Sequence, residues 1–205
     1  MHTPTREEAY GLLTEYNDQD GLIKHALAVE AVMRYAARQR GGDEDAWGIV
    51  GLVHDLDYGR FPEQHCAMTA RILRERDWPE EFVHAVVSHG WGLCSDVEPT
   101  TEMENVLYAV DELCGLVTAA VLVRPSRSLH DLEVKSLKKK WKDKGFAAGA
   151  NRDVIEKGAA RLGITVEDLM AETIAGMREA AAALGLEGSM RAMSPQGGER
   201  GESEA

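Results

Sequence analysis

The chain has 205 residues, a net charge of −12 at pH 7 and a hydrophobic fraction of 44%. This length and composition suit one domain that can bury a sizeable core. The acidic balance argues against a general nucleic-acid binder, whose surface is usually basic. The chain has no run of 18 apolar residues and no signal-peptide layout at its N-terminus, so we predict no membrane span and no secretion leader.

The cysteines indicate the redox environment. Cys66, Cys94 and Cys114 are odd in number, far apart in the sequence and without a Cys-x-x-Cys motif. This pattern fits reduced thiols better than a disulfide framework. We therefore expect a cytoplasmic protein.

Two amphipathic helices are predicted just before the most informative motif of the chain. Apolar residues at i, i+3 and i+4 spacing predict a helix over residues 22–40, with His25 on its inward face. Asp43 or Asp45 caps the next helix, whose apolar run leads into residues 54–57. Taken alone, His25 fits a core-edge histidine with a hydrogen-bond partner.

The motif at the end of that helix is a histidine beside an aspartate, His54 and Asp55, with Asp57 two residues later. A neutral imidazole nitrogen and a carboxylate oxygen can together bind a divalent cation. Gly59 and Pro62 predict that the helix ends here, where the backbone can turn both side chains toward one ion. Such dipeptides also occur at ordinary helix ends, so the pair alone leaves metal binding open.

Two more histidines lie on helices that we predict downstream. Pro62 suits the first turn of a helix that contains His65. A further helix begins near residue 80 and places His89 on its apolar face, at a helix end where a side chain can point into a cleft. His84 points away from that face, and we interpret it as an ordinary residue.

Asp111 lies in the middle of the longest apolar helix, predicted over residues 103–123. Leu107 and Cys114 lie one turn away on either side, so its carboxylate falls on a buried stripe. A buried carboxylate costs several kcal/mol unless it is paired or binds a metal. Asp111 therefore requires a cation.

The C-terminal part is locally basic, since residues 124–157 contain ten Lys or Arg against five Asp or Glu. Helices are predicted over residues 152–162 and 166–184, and Thr165 with Asp168 has capping-box spacing. Residues 187–205 are rich in Gly, Ser, Glu and Arg and predict a disordered tail. No strand, repeat, GxGxxG or Walker motif is evident, so we predict an all-α fold.

Two imidazoles and two carboxylates on three separate helices suit Mn, Fe, Co, Ni or Zn, and also Mg. The order His25, His54-Asp55 and Asp111 resembles the HD-domain superfamily of metal-dependent phosphohydrolases, over about residues 22–123. The wider sequence is similar to the small bacterial HDIG-type HD hydrolases of unassigned substrate. The residues that carry this closer resemblance are 24–30, 51–58, 62–65, 88–90, 108–113 and the Lys-rich segment that begins near residue 138. The HDIG label stands for the sequence His-Asp-Ile-Gly. Here Leu56 and Asp57 follow the His-Asp pair instead, so this motif is incomplete.

The resemblance implies an HD-domain helical bundle with additional C-terminal helices and a metal at its centre. We predict a single domain over residues 1–186, with the metal-site core at about 22–123 and the Lys-rich part at about 124–186.

By that resemblance the metal ligands are His25, His54, Asp55 and Asp111. A general base or a group that orients water is then needed near the metal. Asp57 and His89 are the candidates for such a catalytic role, although an aspartate at position 57 also suits support of a neighbouring ligand.

The number of ions stays open between one and two. HD proteins with two metals add histidines between the His-Asp pair and the last aspartate, and His65 and His89 stand at such places. Alternatively, His65 lies on a helix flank and His89 contacts a substrate phosphate.

The Lys-rich segment also allows two interpretations. Lys138, Lys142 and Arg152 can hold a substrate phosphate if the segment covers the metal cleft. A lysine-rich amphipathic helix is otherwise a solvated face, which is the more common case.

Three functions follow from these patterns. The first is a metal-dependent phosphohydrolase, a phosphomonoesterase or phosphodiesterase acting on a small phosphorylated compound such as a nucleotide. The second is a diiron HD-fold oxygenase. The third is a metal-binding, ligand-sensing domain without turnover. We expect a monomer or homodimer with a small phosphorylated substrate and without nucleic-acid or membrane partners.

Overall fold

The computed structural model describes residues 3–188. This part of the chain forms ten α-helices and one short 3₁₀ turn, Pro62–Gln64. The helices are α1 Arg6–Tyr16, α2 Asp20–Arg40, α3 Glu44–Val53, α4 Ala67–Glu75, α5 Glu80–Ser88, α6 Glu102–Leu122, α7 Val134–Lys142, α8 Arg152–Leu162, α9 Val166–Glu179 and α10 Ala181–Leu184. Between residues 3 and 188 there is no strand, only two isolated bridges. The predicted all-α fold is confirmed.

Helices α2 and α6, each of 21 residues, are the centre of the packing. Helix α2 contacts α3, α6 and α9, while α6 also packs on α8. Gly51 allows the closest approach of α3 to α2, because a Cβ there would lie 2.9 Å from Met33 Cγ and 3.2 Å from the backbone nitrogen of Glu30. This contact holds the C-terminal half of α3 against the middle of α2.

Short-range side-chain caps define several helix starts, including the two that the sequence predicts at Asp43 and Thr165. Asp43 is the N-cap of α3 and accepts hydrogen bonds from the backbone nitrogens of Asp45 and Ala46. Capping boxes form between Thr165 and Asp168 at the start of α9, and also at the starts of α1 and α6. Each cap satisfies backbone N–H groups that lack partners within the helix.

Helix α6 is the one helix within residues 3–188 that is long and apolar enough to cross a membrane by length and composition. Of its apolar window, 61% is buried inside the protein. The buried core helix of a globular domain has the same length and composition.

Two predicted helices are interrupted. The helix predicted from Pro62 is split, because His65 has an extended backbone and Cys66 has φ 67° before α4 begins. The helix predicted over residues 166–184 is split at Ala180. Glu187, in the predicted tail, accepts a hydrogen bond at its backbone oxygen from Ser128 Oγ. The rest of that tail, residues 189–205, lies outside the described residues.

Candidate metal centre

Four of the predicted ligands converge from three helices. His25 comes from α2, His54 and Asp55 follow the end of α3, and Asp111 comes from α6. One ligand atom from each lies within 4.8 Å of all the others. The Oδ1 atom of Asp111 is 2.8 Å from Nε2 of His25 and 3.2 Å from Nε2 of His54.

The two remaining predicted histidines stand on the other side of Asp55. Its Oδ2 atom lies 3.4 Å from His54 Nε2, whereas its Oδ1 atom lies 3.4 Å from Nε2 of both His65 and His89. The Nε2 atoms of His65 and His89 are 3.2 Å apart. The two oxygens of one carboxylate therefore face two groups of donors.

The orientation of the imidazole rings is set by acceptors on their outer sides. The Nδ1–H group of His54 donates to the Gly51 carbonyl at 2.7 Å, and that of His89 donates to the Val86 carbonyl at 2.5 Å. His65 directs Nδ1 to Asp57 Oδ1 at 2.8 Å. A neutral imidazole that donates at Nδ1 carries a lone pair at Nε2, so these nitrogens are oriented as metal ligands.

The carboxylates of the cluster favour a positive charge on the groups that face them. Burial opposes protonation of His54, but the charges of Asp55 and Asp111 outweigh it and raise its pKa well above the ordinary value. Burial likewise opposes charge on His65, yet its hydrogen bond to Asp57 raises its pKa to about 10. The imidazole nitrogens and carboxylate oxygens that face one another can be bridged either by protons or by a metal cation.

The donor set fits divalent metal ions. Two ligands bound to one ion at about 2.1 Å each lie roughly 3.0–3.4 Å apart. The nitrogen–oxygen distances in the cluster, 2.8–3.7 Å, are close to this range. His25, His54, Asp55 and Asp111 would hold a first ion. His65, His89 and the second oxygen of Asp55 would hold another.

A cavity of about 570 Å³ opens onto this cluster. Its lining includes five of the six predicted ligands, and His54 lies behind them, fully buried. The other lining residues are Tyr58, Gly90, Leu93, Cys94, Glu112, Gly115, Ala147, Gly149, Ala150 and Val154. Within residues 3–188 the lining contains no Lys or Arg, so any positive charge that faces a ligand there comes from the metal centre or a histidine.

Asp57 does not face the cavity. It is fully buried, its Oδ1 atom contacts His65, and its Oδ2 atom accepts a hydrogen bond from the backbone nitrogen of Thr69 at 2.9 Å. Both oxygens are thus engaged on the far side of His65. This placement argues against the predicted general-base role and favours the orienting role.

The residues predicted to hold a phosphate lie outside the cavity lining. Lys138 forms an ion pair with Glu167, and Lys142 is exposed on α7. Arg152 donates to the backbone carbonyls of Trp141 in the last turn of α7 and of three residues in the loop that follows, Asp143, Phe146 and Ala150. Its guanidinium group therefore organises the loop that forms one wall of the cavity, and a phosphate contact for these three residues stays a prediction.

Two features of the site were missed from the sequence. Glu112 lines the cavity and accepts a hydrogen bond from the backbone nitrogen of Asn151 at 3.0 Å, which joins α6 to the loop. Cys66 and Cys94 lie beside the two histidines, with 2.9 Å between their sulfur atoms. The place of Glu112 next to Asp111 in the sequence could have indicated that Glu112 lies near the site. No short-range sequence pattern indicated the contact between Cys66 and Cys94.

Comparison with known proteins agrees with this geometry. Residues 22–114 match the family model of the HD domain. No curated protein and no solved structure shows a significant match to the chain. The matched segment contains all six residues of the cluster, from His25 to Asp111. The match therefore supports membership of the HD-domain superfamily for residues 22–114.

Proposed function

We propose that this protein is a metal-dependent phosphohydrolase that acts on a small phosphorylated compound, with nucleotides among the candidates. The observation that carries the proposal is the position of Asp55, whose two oxygens lie between two groups of histidines at the base of an open cavity. HD domains are typically metal-dependent hydrolases, which supports the same class. The closer resemblance to HDIG-type hydrolases stays a prediction.

The charge of the cavity favours a role for metal in substrate binding. A phosphate that enters it meets the carboxylates of Asp55, Asp111 and Glu112 and no Lys or Arg among the described lining residues. Without compensating cations this approach is repulsive. When bound, divalent ions supply Lewis acidity and lower the pKa of a bound water toward neutrality.

The residues of the chain divide into three roles in this proposal. His25, His54 and Asp111 hold one ion, His65 and His89 hold another, and Asp55 is shared. Asp57 fixes the ring of His65, and the carbonyls of residues 51 and 86 fix the rings of His54 and His89. A cavity of about 570 Å³ is of the size that accepts small molecules rather than a folded partner.

Metal content is the first test. We would measure it in protein purified without added metal and in the variants His54→Ala, Asp111→Ala and His65→Ala. His84→Ala is the matched control, because His84 contacts Glu104 away from the cluster. We expect about two equivalents in the wild type and in the control, loss of one ion in His65→Ala, and loss of the first ion in the other two. A wild type that binds neither its own metal nor added Mn, Fe or Co would end the proposal.

Turnover is the second test. A phosphomonoester and a phosphodiester of nitrophenol, followed by a panel of nucleotides and sugar phosphates, would be assayed with each metal. We expect hydrolysis that His54→Ala abolishes and His84→Ala leaves intact. Stoichiometric metal without hydrolysis of any compound would favour a ligand-sensing domain instead.

A diiron oxygenase is the second candidate, because four imidazoles and two carboxylates form a donor set that also suits iron. Tightly bound iron, oxygen uptake with a candidate substrate and the absence of phosphate release would favour it. Hydrolysis that proceeds equally well without oxygen would exclude it as the explanation of turnover.

A further inference from the structure

We propose that Cys66 and Cys94 form a reversible disulfide when a hydroperoxide enters the cavity. The two residues are 28 positions apart, yet their Sγ atoms lie 2.9 Å from each other. Both are free thiols in this structure. The proposal concerns a modification site beside the metal centre and does not depend on which reaction that centre performs.

The two thiols differ in access, which assigns their roles. Cys94 is exposed and lines the cavity, whereas Cys66 is 1% exposed and lies behind it. An oxidant that reaches the cavity therefore meets Cys94 first. Cys66 is then the resolving thiol, because it is already within reach of Cys94 and shielded from direct attack.

The backbone around both residues favours their contact. Gly90 accepts hydrogen bonds at its carbonyl from the backbone nitrogens of Leu93, Cys94 and Ser95, which closes a tight turn. A Cβ at Gly90 would lie 2.4 Å from Cys94 Sγ and 2.5 Å from Cys66 Sγ, so only glycine leaves room for both sulfurs. Cys66 itself has φ 67°, a conformation that costs a non-glycine residue free energy and persists only where the surroundings impose it.

The chemistry balances with the peroxide as the oxidant. The Cys94 sulfur attacks one peroxide oxygen, the O–O bond breaks, and the other oxygen leaves as an alcohol, or as water from hydrogen peroxide, with the thiol proton. The Cys66 sulfur then attacks the sulfenic acid, the S–O bond breaks, and hydroxide leaves as water with the Cys66 proton. The two thiols lose two electrons and the peroxide gains two. An external dithiol reverses the reaction by exchange.

The bond would connect the two segments that carry His65 and His89. Cys66 follows His65 directly, and Cys94 lies in the turn that follows His89. Oxidation would therefore replace two thiols beside these rings with a covalent link between their segments.

The test uses the full chain, reduced and freed of metal so that bound iron cannot react with peroxide. After treatment with a small excess of hydrogen peroxide, remaining thiols are alkylated and the protein is digested and analysed by mass spectrometry. We expect loss of two thiols, a peptide cross-linked between Cys66 and Cys94, and full recovery of both thiols with dithiothreitol. Cys114→Ser is the matched control and should cross-link like the wild type, because Cys114 is buried on α6 and the close sulfur pair is Cys66 with Cys94.

Two variants separate the roles of the thiols. Cys66→Ser should stop at a sulfenic acid on Cys94 that dimedone traps, and Cys94→Ser should keep the Cys66 thiol under the same dose. A wild type that retains three thiols, forms only links between chains, or accumulates sulfinic acid on Cys94 with Cys66 still free would overturn the proposal. The wild-type peptide map decides this even if a variant fails to fold.

Discussion

The Oδ1 atom of Asp57 lies 2.8 Å from Nδ1 of His65, on the side of the ring that faces away from the cavity. Asp57 is fully buried, and the backbone nitrogen of Thr69 holds its second oxygen. This contact fixes which nitrogen of His65 points toward Asp55. From this position we expect Asp57 to support a ligand of the metal rather than to contact substrate.

We expect Asp57→Asn to weaken binding of the second ion by roughly 10–100-fold. The reason is that a neutral amide does not hold the orientation and the charge of the His65 ring as the carboxylate does. The first ion should stay bound. Metal titration by calorimetry measures both affinities. The control is Asp96→Asn, because Asp96 is an exposed residue of the loop between α5 and α6. Unchanged affinity together with lost turnover would instead restore Asp57 as a catalytic group.

Arg152→Lys should loosen the loop that forms one wall of the cavity. One ammonium group cannot replace a guanidinium group that donates to four backbone carbonyls. We expect a loss of about 2 kcal/mol in the free energy of unfolding and a higher KM, with unchanged metal content. Denaturant titration and kinetics measure these effects, and Lys144→Met, on an exposed part of the same loop, provides the control.

Lys138 and Lys142 test the predicted phosphate contact separately. Neither lines the cavity, and Lys138 is paired with Glu167. We expect kcat/KM of Lys138→Ala and Lys142→Ala to stay within about twofold of the wild-type value, since solvated charges outside the cavity are screened. A tenfold or larger drop in kcat/KM for either variant would show that the segment reaches the substrate during turnover.

Glu104 should give the protein a contribution to stability that disappears in acid. Burial opposes ionisation of this carboxyl, but hydrogen bonds from the backbone nitrogens of Thr100 and Thr101 outweigh it and lower its pKa. Because the folded pKa is depressed, the contribution is present above the unfolded pKa of about 4.3 and is lost as pH falls through the folded pKa. We expect Glu104→Gln to cost about 1 kcal/mol at neutral pH.

The difference in the free energy of unfolding between the wild type and Glu104→Gln should shrink progressively as denaturant titrations are repeated at lower pH. Glu81→Gln, at an exposed position on α5, should show no such pH-dependent difference. If this difference in the free energy of unfolding stayed constant down to strongly acidic pH, the destabilisation by Glu104→Gln would arise from packing rather than from charge.

Metal removal should lower thermal stability. The close approach of Asp55 and Asp111 beneath the cavity is repulsive without a cation, and a ligand that binds only the folded state stabilises it by about 2.7 kcal/mol at 100 times its Kd. We expect chelation to lower Tm and added Mn to restore it in the wild type. His54→Ala should respond less than the wild type, because it retains only the second ion, while His84→Ala should behave like the wild type.

Several features could be predicted from the sequence because they depend on near neighbours. The start of α3 at Asp43 and the capping box of Thr165 with Asp168 are decided within four residues of each cap. The apolar periodicity of residues 22–40 and 103–123 predicted the two long helices and the inward positions of His25 and Asp111. The requirement of a buried carboxylate for a cation then indicated a metal centre.

Other features depend on how distant segments meet, and no local pattern contains that information. The packing of α2, α3 and α6 brings His25, His54 and Asp111 to Asp55, whereas the segments before α4 and after α5 bring His65 and His89 to its other oxygen. The break at His65 and Cys66 departs from helical periodicity because tertiary contacts, to Asp57 and to Cys94, hold those residues. The sequence by itself thus determined most helix positions and the prediction of a metal centre, whereas the tertiary structure decided which candidate ligands lie together, which carbonyls Arg152 contacts and that two cysteines meet. Distances between residues far apart in the chain arise only when the helices pack.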